Sequence, residues 1–228
     1  MTRILALETA GESCSVALLD DSLPEGQQIR ETFEIAPRKQ TELALPMVES
    51  LLSEAGLELK EMDCIAFGHG PGAFTGVRVA AAVAQGLAFS AELPVVGVST
   101  LAACALSVAT EKEAKQIIAC FDARMGELYL GAYRIDEGKL VTVLADGLFK
   151  PDALPELSGA WLIAGSGLVY QEALTAAYDA SACIPDAHPH AKAVAELALS
   201  AFLRGEAVSA EQAQPVYLRD QVIQGAVR

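Results

Sequence analysis

The stretch Gly68-His69-Gly70-Pro71-Gly72-Ala73-Phe74-Thr75-Gly76-Val77-Arg78 decides how this chain folds. An apolar run, residues 64–67, precedes it, and a long apolar segment, residues 77–91, follows it. This order predicts a strand, a tight loop and a helix. The hydroxyl of Thr75 is expected to cap the helix by accepting a free amide hydrogen of the first turn. Arg78 opposes the helix dipole in that turn, so we expect a carboxylate or phosphate beside it.

The glycines of this loop allow two interpretations. A glycine loop at a helix N-terminus is a natural anion site, and residues 68–73 satisfy the dinucleotide fingerprint. However, the next strand, residues 95–98, ends in Ser99-Thr100 and not in the acidic residue that would hold a ribose. We therefore reject a dinucleotide fold. A phosphate or partner site and a tight turn needed for packing both stay open.

Composition limits the classes of function. The chain has 228 residues, 52% of them hydrophobic, and a net charge of −14, which makes it a poor nucleic-acid binder by itself. Its five cysteines are scattered without a CxxC pair, as expected for reduced thiols in a cytoplasmic protein. The apolar N-terminal run, residues 4–7, is too short for a signal peptide. Residues 79–110 carry only one charge, but Pro94 and Gly97 divide them, so we expect no membrane span.

The two halves of the chain repeat one pattern. The apolar run Ile4–Leu7 leads into Glu8 and a polar turn, and half a chain length later Ile117–Phe121 leads into Asp122 and another. Self-similarity at this period predicts two domains of common design, at residues 1–108 and at 109–228, the second smaller and with a tail that docks on the body. Each would be an α/β domain in which a hairpin opens a mixed sheet flanked by helices.

Two helices of the first half, predicted at residues 40–55 and 75–91, are too apolar for a monomer. A helix on a sheet buries one face and should be polar on the other, whereas these two are apolar on both faces. Extra chain could cover them, but a helix–helix interface with another protein explains them better. The residues expected at this interface are Leu43, Met47, Val48, Leu51, Arg78, Ala81, Ala82, Gln85 and Phe89.

Catalytic motifs are scarce. The three histidines form no HExxH or HxxxH motif, Gly165-Ser166-Gly167 is not a nucleophile elbow, and we expect no metal site. The carboxylates that end the two repeated strands remain, because such residues manage magnesium and phosphate in two-lobed nucleotide-binding folds. Capping of the turns is the competing interpretation. The candidate nucleotide site comprises Glu8, Thr9, Gly70, Gly72 and Asp122.

Four stretches carry a family resemblance. Duplicated hairpin-first domains resemble the superfamily of actin, hexokinase and sugar kinases, whose domains are ribonuclease H-like. Within it, the chain is similar to the TsaB (formerly YeaZ) family, the dimerisation subunits of the bacterial machinery that makes threonylcarbamoyladenosine in tRNA. The matching stretches are Ile4–Ala10, Gly70–Arg78, Asp122–Glu127 and Pro215–Arg219.

The resemblance implies a non-catalytic scaffold. TsaB proteins are degenerate relatives of the threonylcarbamoyl transferase TsaD, which holds a metal through an HxxxH motif; Thr100 and Cys104 stand at those two positions here. The first-domain helices would pair with TsaD or, when the chain is alone, with a second copy. The ATPase TsaE would join this complex, with ATP or ADP and magnesium near the junction, and tRNA would be met only indirectly. Glu8 and Gln40 depart from the usual Asp and His of relatives, which weakens a nucleotide role.

A small ATP-dependent phosphotransferase of the sugar-kinase type is the alternative function. It would use Glu8 and Asp122 as the magnesium and phosphate carboxylates and would turn over an acceptor. A metalloprotease has no support in the sequence, because no metal-binding motif is present.

Overall fold

The computed structural model describes residues 1–219, so the last residues of the predicted second domain, 220–228, lie outside the described part of the chain. Within residues 1–219, ten strands and five α-helices follow one another. The strands are β1 (Arg3–Glu8), β2 (Ser13–Asp20), β3 (Ile29–Ile35), β4 (Cys64–Gly70), β5 (Val95–Ser99), β6 (Gln116–Arg124), β7 (Glu127–Asp136), β8 (Lys139–Phe149), β9 (Ala160–Ala164) and β10 (Asp179–Ile184). The helices are α1 (Gln40–Ala55), α2 (Phe74–Ala91), α3 (Thr100–Lys112), α4 (Gln171–Ala177) and α5 (Ala191–Leu203).

The strands form two five-stranded sheets with the same topology. The first runs in the order β3-β2-β1-β4-β5, and the second, read from its other edge, runs β8-β7-β6-β9-β10. In each sheet, the three strands that come first in sequence pair antiparallel with one another. The two later strands run parallel to the strand that opens the sheet in sequence, β1 or β6. The predicted duplication and the fold class are therefore confirmed: two mixed ribonuclease H-like sheets flanked by helices.

The first sheet is buried on both faces. Successive side chains of a strand point to opposite faces, and in β1 Leu5 and Leu7 join the core under α1 and α2, whereas Ile4 and Ala6 join the core under α5. Burial on both sides explains why β1 reads as a continuous apolar run and not as an alternating one.

Helices α3 and α5 tie the halves together. Helix α3 follows the first sheet but packs against the second, where Leu101 and Cys104 meet Ile117. Helix α5 belongs by sequence to the second half but packs on the first sheet. The predicted domain boundary between residues 108 and 109 falls inside α3, and it stays a prediction. Helix α5, which follows that boundary in sequence, nevertheless packs on the first sheet.

Candidate functional site

The glycine loop is closed on the turn between β1 and β2. Thr9 Oγ1 donates to the carbonyl of Gly76 over 2.7 Å, and the amide of Ala73 donates to the carbonyl of Ala10 over 2.8 Å. A Cβ at Gly72 would lie 2.7 Å from the Cβ of Ala10, and one at Gly76 only 2.1 Å from the carbonyl oxygen of Thr9. These contacts show that Gly72 and Gly76 are required for close backbone packing.

The start of α2 differs from the sequence prediction. The helix begins at Phe74, Ala73 occupies the N-cap position, and no side chain caps it. Thr75 already lies inside the first turn, so its hydroxyl cannot serve as the predicted cap. The backbone bond from Ala73 to Ala10 fixes the entry of the chain into the helix in its place.

Glu8 is sealed inside the first half. Its side chain is fully buried; Oε1 accepts the amide of Ala10 over 2.6 Å, while Oε2 faces Gly68 and has no partner. Burial raises the pKa of the Glu8 carboxyl to about 7, although the hydrogen bond from the Ala10 amide and the nearby polar groups of Thr100 and Thr9 lower it in part. At neutral pH the carboxyl is therefore close to half protonated, and its buried neighbour Thr9 likewise has no oxygen at the surface.

The other predicted nucleotide residues serve local structure. Both oxygens of the Asp122 carboxylate face Arg124: Oδ1 accepts its amide over 2.8 Å and Oδ2 its guanidinium over 2.9 Å. This is the turn-capping arrangement. The amide of Gly70 donates to Thr100 Oγ1 over 3.2 Å. No hydrogen bond joins Glu8 to Asp122 in the part of the chain that the structure describes. These residues do not fit a phosphate–magnesium site within the chain, because the first-half oxygens are sealed.

Thr100 and Cys104, where the resemblance places the two histidines of a metal motif, are both fully buried at the start of α3. Burial raises the pKa of the Cys104 thiol to about 12, with a further contribution from the nearby Glu8 carboxyl. A protonated thiol and a hydroxyl are poor ligands for a catalytic cation. Over residues 1–219, no group of three or more His, Cys, Asp or Glu side chains is placed to hold a metal.

Helix α1 buries its apolar side against the first sheet. Met47, Val48 and Leu51 are buried in the core above the first sheet, Leu51 with only 2% of its surface exposed. The outward face is mostly polar and includes Glu42, Ser53 and Glu54. The expectation that both faces of α1 are apolar is therefore wrong, and the three buried residues have no surface to offer a partner in this conformation.

Helix α2 leaves an apolar face uncovered. Its alanines at a spacing of four, Ala80, Ala84 and Ala88, lie against the sheet, and Ala81 is buried beside α1 and the rest of that core. The opposite face, which we call the α2 face, carries an exposed aromatic side chain near each end and small residues between them. Its exposed apolar members are Phe74 (59% exposed), Ala82, Gly86 and Phe89 (71% exposed), with the exposed polar residue Thr75 among them near the start of the helix.

The remaining predicted interface residues divide between surface and core. Arg78 and Gln85 are half-buried along the α2 face, and Leu43 is half-buried on α1, whereas Ala81 joins the buried set. Ala82 and Phe89 are thus the exposed residues of the predicted interface set. By length and composition alone α2 would also pass for a membrane span, but its alanine side packs on a sheet as in the core of a globular protein.

The tail crosses from one half to the other, and it brings in a residue that sequence reasoning missed. The amide of Val216 donates to the carbonyl of His69 over 2.8 Å. Arg219 Nη2 donates to Glu127 Oε2 over 2.5 Å. Between these anchors, the ring of Tyr217 lies beside the guanidinium of Arg78. No local pattern announces this contact, because it joins segments far apart in sequence.

Sequence reasoning also missed a group of hydrogen bonds between polar side chains of the two halves. Asp146 of β8 accepts from Ser99 Oγ over 2.5 Å and from the hydroxyl of Tyr133. The same Ser99 oxygen accepts the amide of Ala102 and so caps α3. These bonds join the two halves of the chain and hold the start of α3 in place.

Comparison with known proteins identifies the family. The family model for tRNA N6-adenosine threonylcarbamoyltransferase, TsaD, matches residues 33–227. The tRNA threonylcarbamoyladenosine biosynthesis protein TsaB of Escherichia coli strain K12 is 39% identical, with 96% of each chain covered. TsaB of Haemophilus influenzae is 36% identical over 96% of this chain and 94% of its own. The solved structure of YeaZ from Pseudomonas aeruginosa is 42% identical, covers 96% of this chain and 100% of its own, and superposes with a TM-score of 0.85. The chain belongs to the TsaB (YeaZ) family.

Proposed function

We propose that this chain acts in the biosynthesis of tRNA threonylcarbamoyladenosine as a non-catalytic cytoplasmic subunit. It binds a TsaD-type transferase through the α2 face and so supports transfer of the threonylcarbamoyl group to the adenosine next to the anticodon. The names of its relatives support the pathway. The single observation that supports docking through α2 is the solvent-exposed apolar face between Phe74 and Phe89.

The physical argument rests on the two sides of α2. Amphipathic surface helices expose polar residues, and apolar patches left open on a protein commonly mark interaction sites. Here the exposed side offers two large aromatic rings and, between them, Ala82 and Gly86, which allow a second helix to approach closely. Apolar area buried there contributes roughly 25 cal/mol per Å², less the cost of association.

A non-catalytic role agrees with the chemistry of the buried groups. Glu8 is sealed, with its pKa raised by burial, and the residues at the TsaD metal positions, Thr100 and Cys104, are buried and poor ligands. The phosphotransferase alternative needs Glu8 at an accessible phosphate site. Calorimetric titration of the lone chain with ATP and magnesium separates the two functions: the scaffold predicts no tight binding, and micromolar binding with turnover of an acceptor would favour the kinase.

The same α2 face is proposed to form a homodimer when the chain is alone, so the homodimer and the TsaD complex would exclude each other. The ATPase TsaE would join the heterodimer, with nucleotide held near that junction and not by this chain alone. Contact with tRNA is proposed to be indirect, because a net charge of −14 repels a phosphate backbone.

Nucleoside mass spectrometry of bulk tRNA tests the function in cells. Depletion of the chain is expected to remove threonylcarbamoyladenosine, and the wild-type gene should restore it. Phe89→Glu should fail to restore it, because a charge would enter the α2 face. Val143→Glu is the matched control, since Val143 is an exposed aliphatic residue of β8 in the second half. Normal threonylcarbamoyladenosine levels after depletion would reject the pathway assignment.

A further inference from the structure

One end of the α2 face carries a cation in contact with two aromatic rings. The guanidinium carbon of Arg78 lies 3.2 Å from the ring centroid of Phe74 and 4.8 Å from that of Tyr217. Arg78 Nη1 also donates to the carbonyl of Phe74 over 2.9 Å. We call these three side chains the Arg78 stack. Its two rings are 59% and 47% exposed, so the stack is part of the accessible surface.

The carboxylate or phosphate expected beside Arg78 is missing from the described chain. No ion pair joins Arg78 to a carboxylate within residues 1–219. Arg78 is also the only charged side chain of α2, which contains no acidic residue. A guanidinium has five N–H donors, and the bond to Phe74 uses one of them. Stacked rings cover the faces of the group and leave donors at its edge for a planar acceptor.

The stack is also held in place before any partner arrives. Tyr217 lies between two anchors of the tail, the Val216 bond to His69 and the Arg219 bond to Glu127. Phe74 and Arg78 are one helical turn apart, so they face the same side of α2. A preorganised guanidinium loses less conformational entropy on binding than a free one, which makes it a good anchor at an interface.

We propose that the Arg78 stack is a carboxylate receptor, filled by an aspartate or glutamate of the partner that docks on the α2 face. This inference rests on the proposed function and adds a specific recognition element to it. A protein carboxylate fits better than a nucleic-acid phosphate for two reasons. The stack continues into an apolar helix face that a protein helix would cover, and a chain with a net charge of −14 repels a polyanion far more strongly than it repels a single carboxylate. Charge-assisted bonds between arginine and carboxylate are short and geometrically specific.

Titration calorimetry with the TsaD-type protein of the same organism tests the receptor. Arg78→Gln removes the charge but keeps much of the side-chain length, and it is expected to weaken binding roughly 30-fold at low salt and less at high salt. Tyr217→Ala should weaken binding about 5-fold by loosening the stack, whereas Tyr217→Phe keeps the ring and should bind like the wild type. Arg134→Gln is the matched control, since Arg134 is an exposed arginine of β7 paired with Asp136.

The outcomes separate this inference from the function on which it rests. Failure of the wild-type chain to bind the partner would reject the proposed function itself. Wild-type binding that Arg78→Gln leaves within twofold, with the same salt dependence, would overturn the receptor alone. A loss of tRNA binding by Arg78→Gln with unchanged partner affinity would also overturn it, because the acceptor would then be a phosphate. Equal thermal unfolding of Arg78→Gln and wild type shows that the fold is intact.

Discussion

The buried carboxyl of Glu8 makes a prediction about stability that can be calculated from the structure. An ordinary glutamate has a pKa of 4.5, which we take for the unfolded chain, whereas burial raises the pKa of Glu8 in the folded protein to about 7. Between these two values the folded state holds a proton that the unfolded state has released. The contribution of Glu8 to the free energy of unfolding is therefore lost as pH rises through this window, and it levels off above about pH 7.

The magnitude follows from the size of the shift. Each pKa unit corresponds to about 1.4 kcal/mol, so the shift amounts to about 3 kcal/mol. Glu8→Gln is neutral at every pH and escapes this loss. Relative to the wild type, the variant should therefore gain about 3 kcal/mol in free energy of unfolding between roughly pH 4 and pH 8. The amide hydrogens placed at the unpartnered Oε2 position carry a cost, but that cost does not depend on pH and cancels in the comparison.

Urea denaturation followed by far-ultraviolet circular dichroism measures this difference. Wild type, Glu8→Gln and the control Glu42→Gln, which alters an exposed carboxylate of α1, are compared at several pH values in that range. The control should track the wild type closely. A stability difference between Glu8→Gln and wild type that stays constant with pH would refute the reasoning, because it would mean that Glu8 has the same pKa in the folded protein as in the unfolded chain.

Three further substitutions test the packing described above. Leu51→Asp should unfold the chain and not simply yield a soluble monomer, because Leu51 is buried in the core; a folded monomer by sedimentation and circular dichroism would contradict this. Gly76→Ala should destabilise by a few kcal/mol in thermal unfolding, since its Cβ would meet the carbonyl of Thr9, and an unchanged melting temperature would disprove the close packing. Glu31→Ala should lower the free energy of unfolding, measured by urea denaturation, by about 1–2 kcal/mol, because Glu31 accepts from the amide of Lys192 at the start of α5 and pairs with His190. Glu31→Gln should keep most of that stability, and equal losses in the two variants would argue against capping.

Much of the fold could be predicted from the sequence because it depends on local patterns. Apolar runs bounded by polar turns located the strands, and α1 begins and ends where its pattern predicted, at Gln40 and Ala55. The repeat of a strand, a carboxylate and a polar turn predicted the duplicated sheets. The packing of α5 on the first sheet could not be predicted in this way. The apolar face that includes Val194 and Ala198 predicts a helix that packs on a sheet, but it does not say which of the two sheets.

The accessible side of α2 was harder to predict, for a physical reason. A helix that is apolar all round gives no signal of which side meets its own sheet. The small residues Ala80, Ala84 and Ala88 face inward, because they let the helix approach the sheet closely, and the large Phe74 and Phe89 remain outside. Reasoning that large apolar residues go inside would have chosen the wrong side.

The candidate nucleotide site stays a prediction, because local sequence leaves the direction of its carboxylates open. A carboxylate that ends a strand before a polar turn can point into a cleft or into the core, and sequence does not separate the two. The extra methylene of Glu8, compared with aspartate, lets its carboxyl reach over Gly68, where there is no side chain to exclude it. Asp122, one methylene shorter, stays with its own turn and pairs with Arg124.

One measurement tests most directly whether the α2 face is the docking surface. It is a calorimetric titration in which the Ala82→Glu variant of this chain binds the TsaD-type partner. Ala82 is exposed at the centre of that face, so the variant should fold like the wild type. Burying the new carboxylate in a dry helix interface should weaken partner binding by more than about 100-fold. A folded Ala82→Glu chain that binds the partner with wild-type affinity would show that another surface carries the interaction.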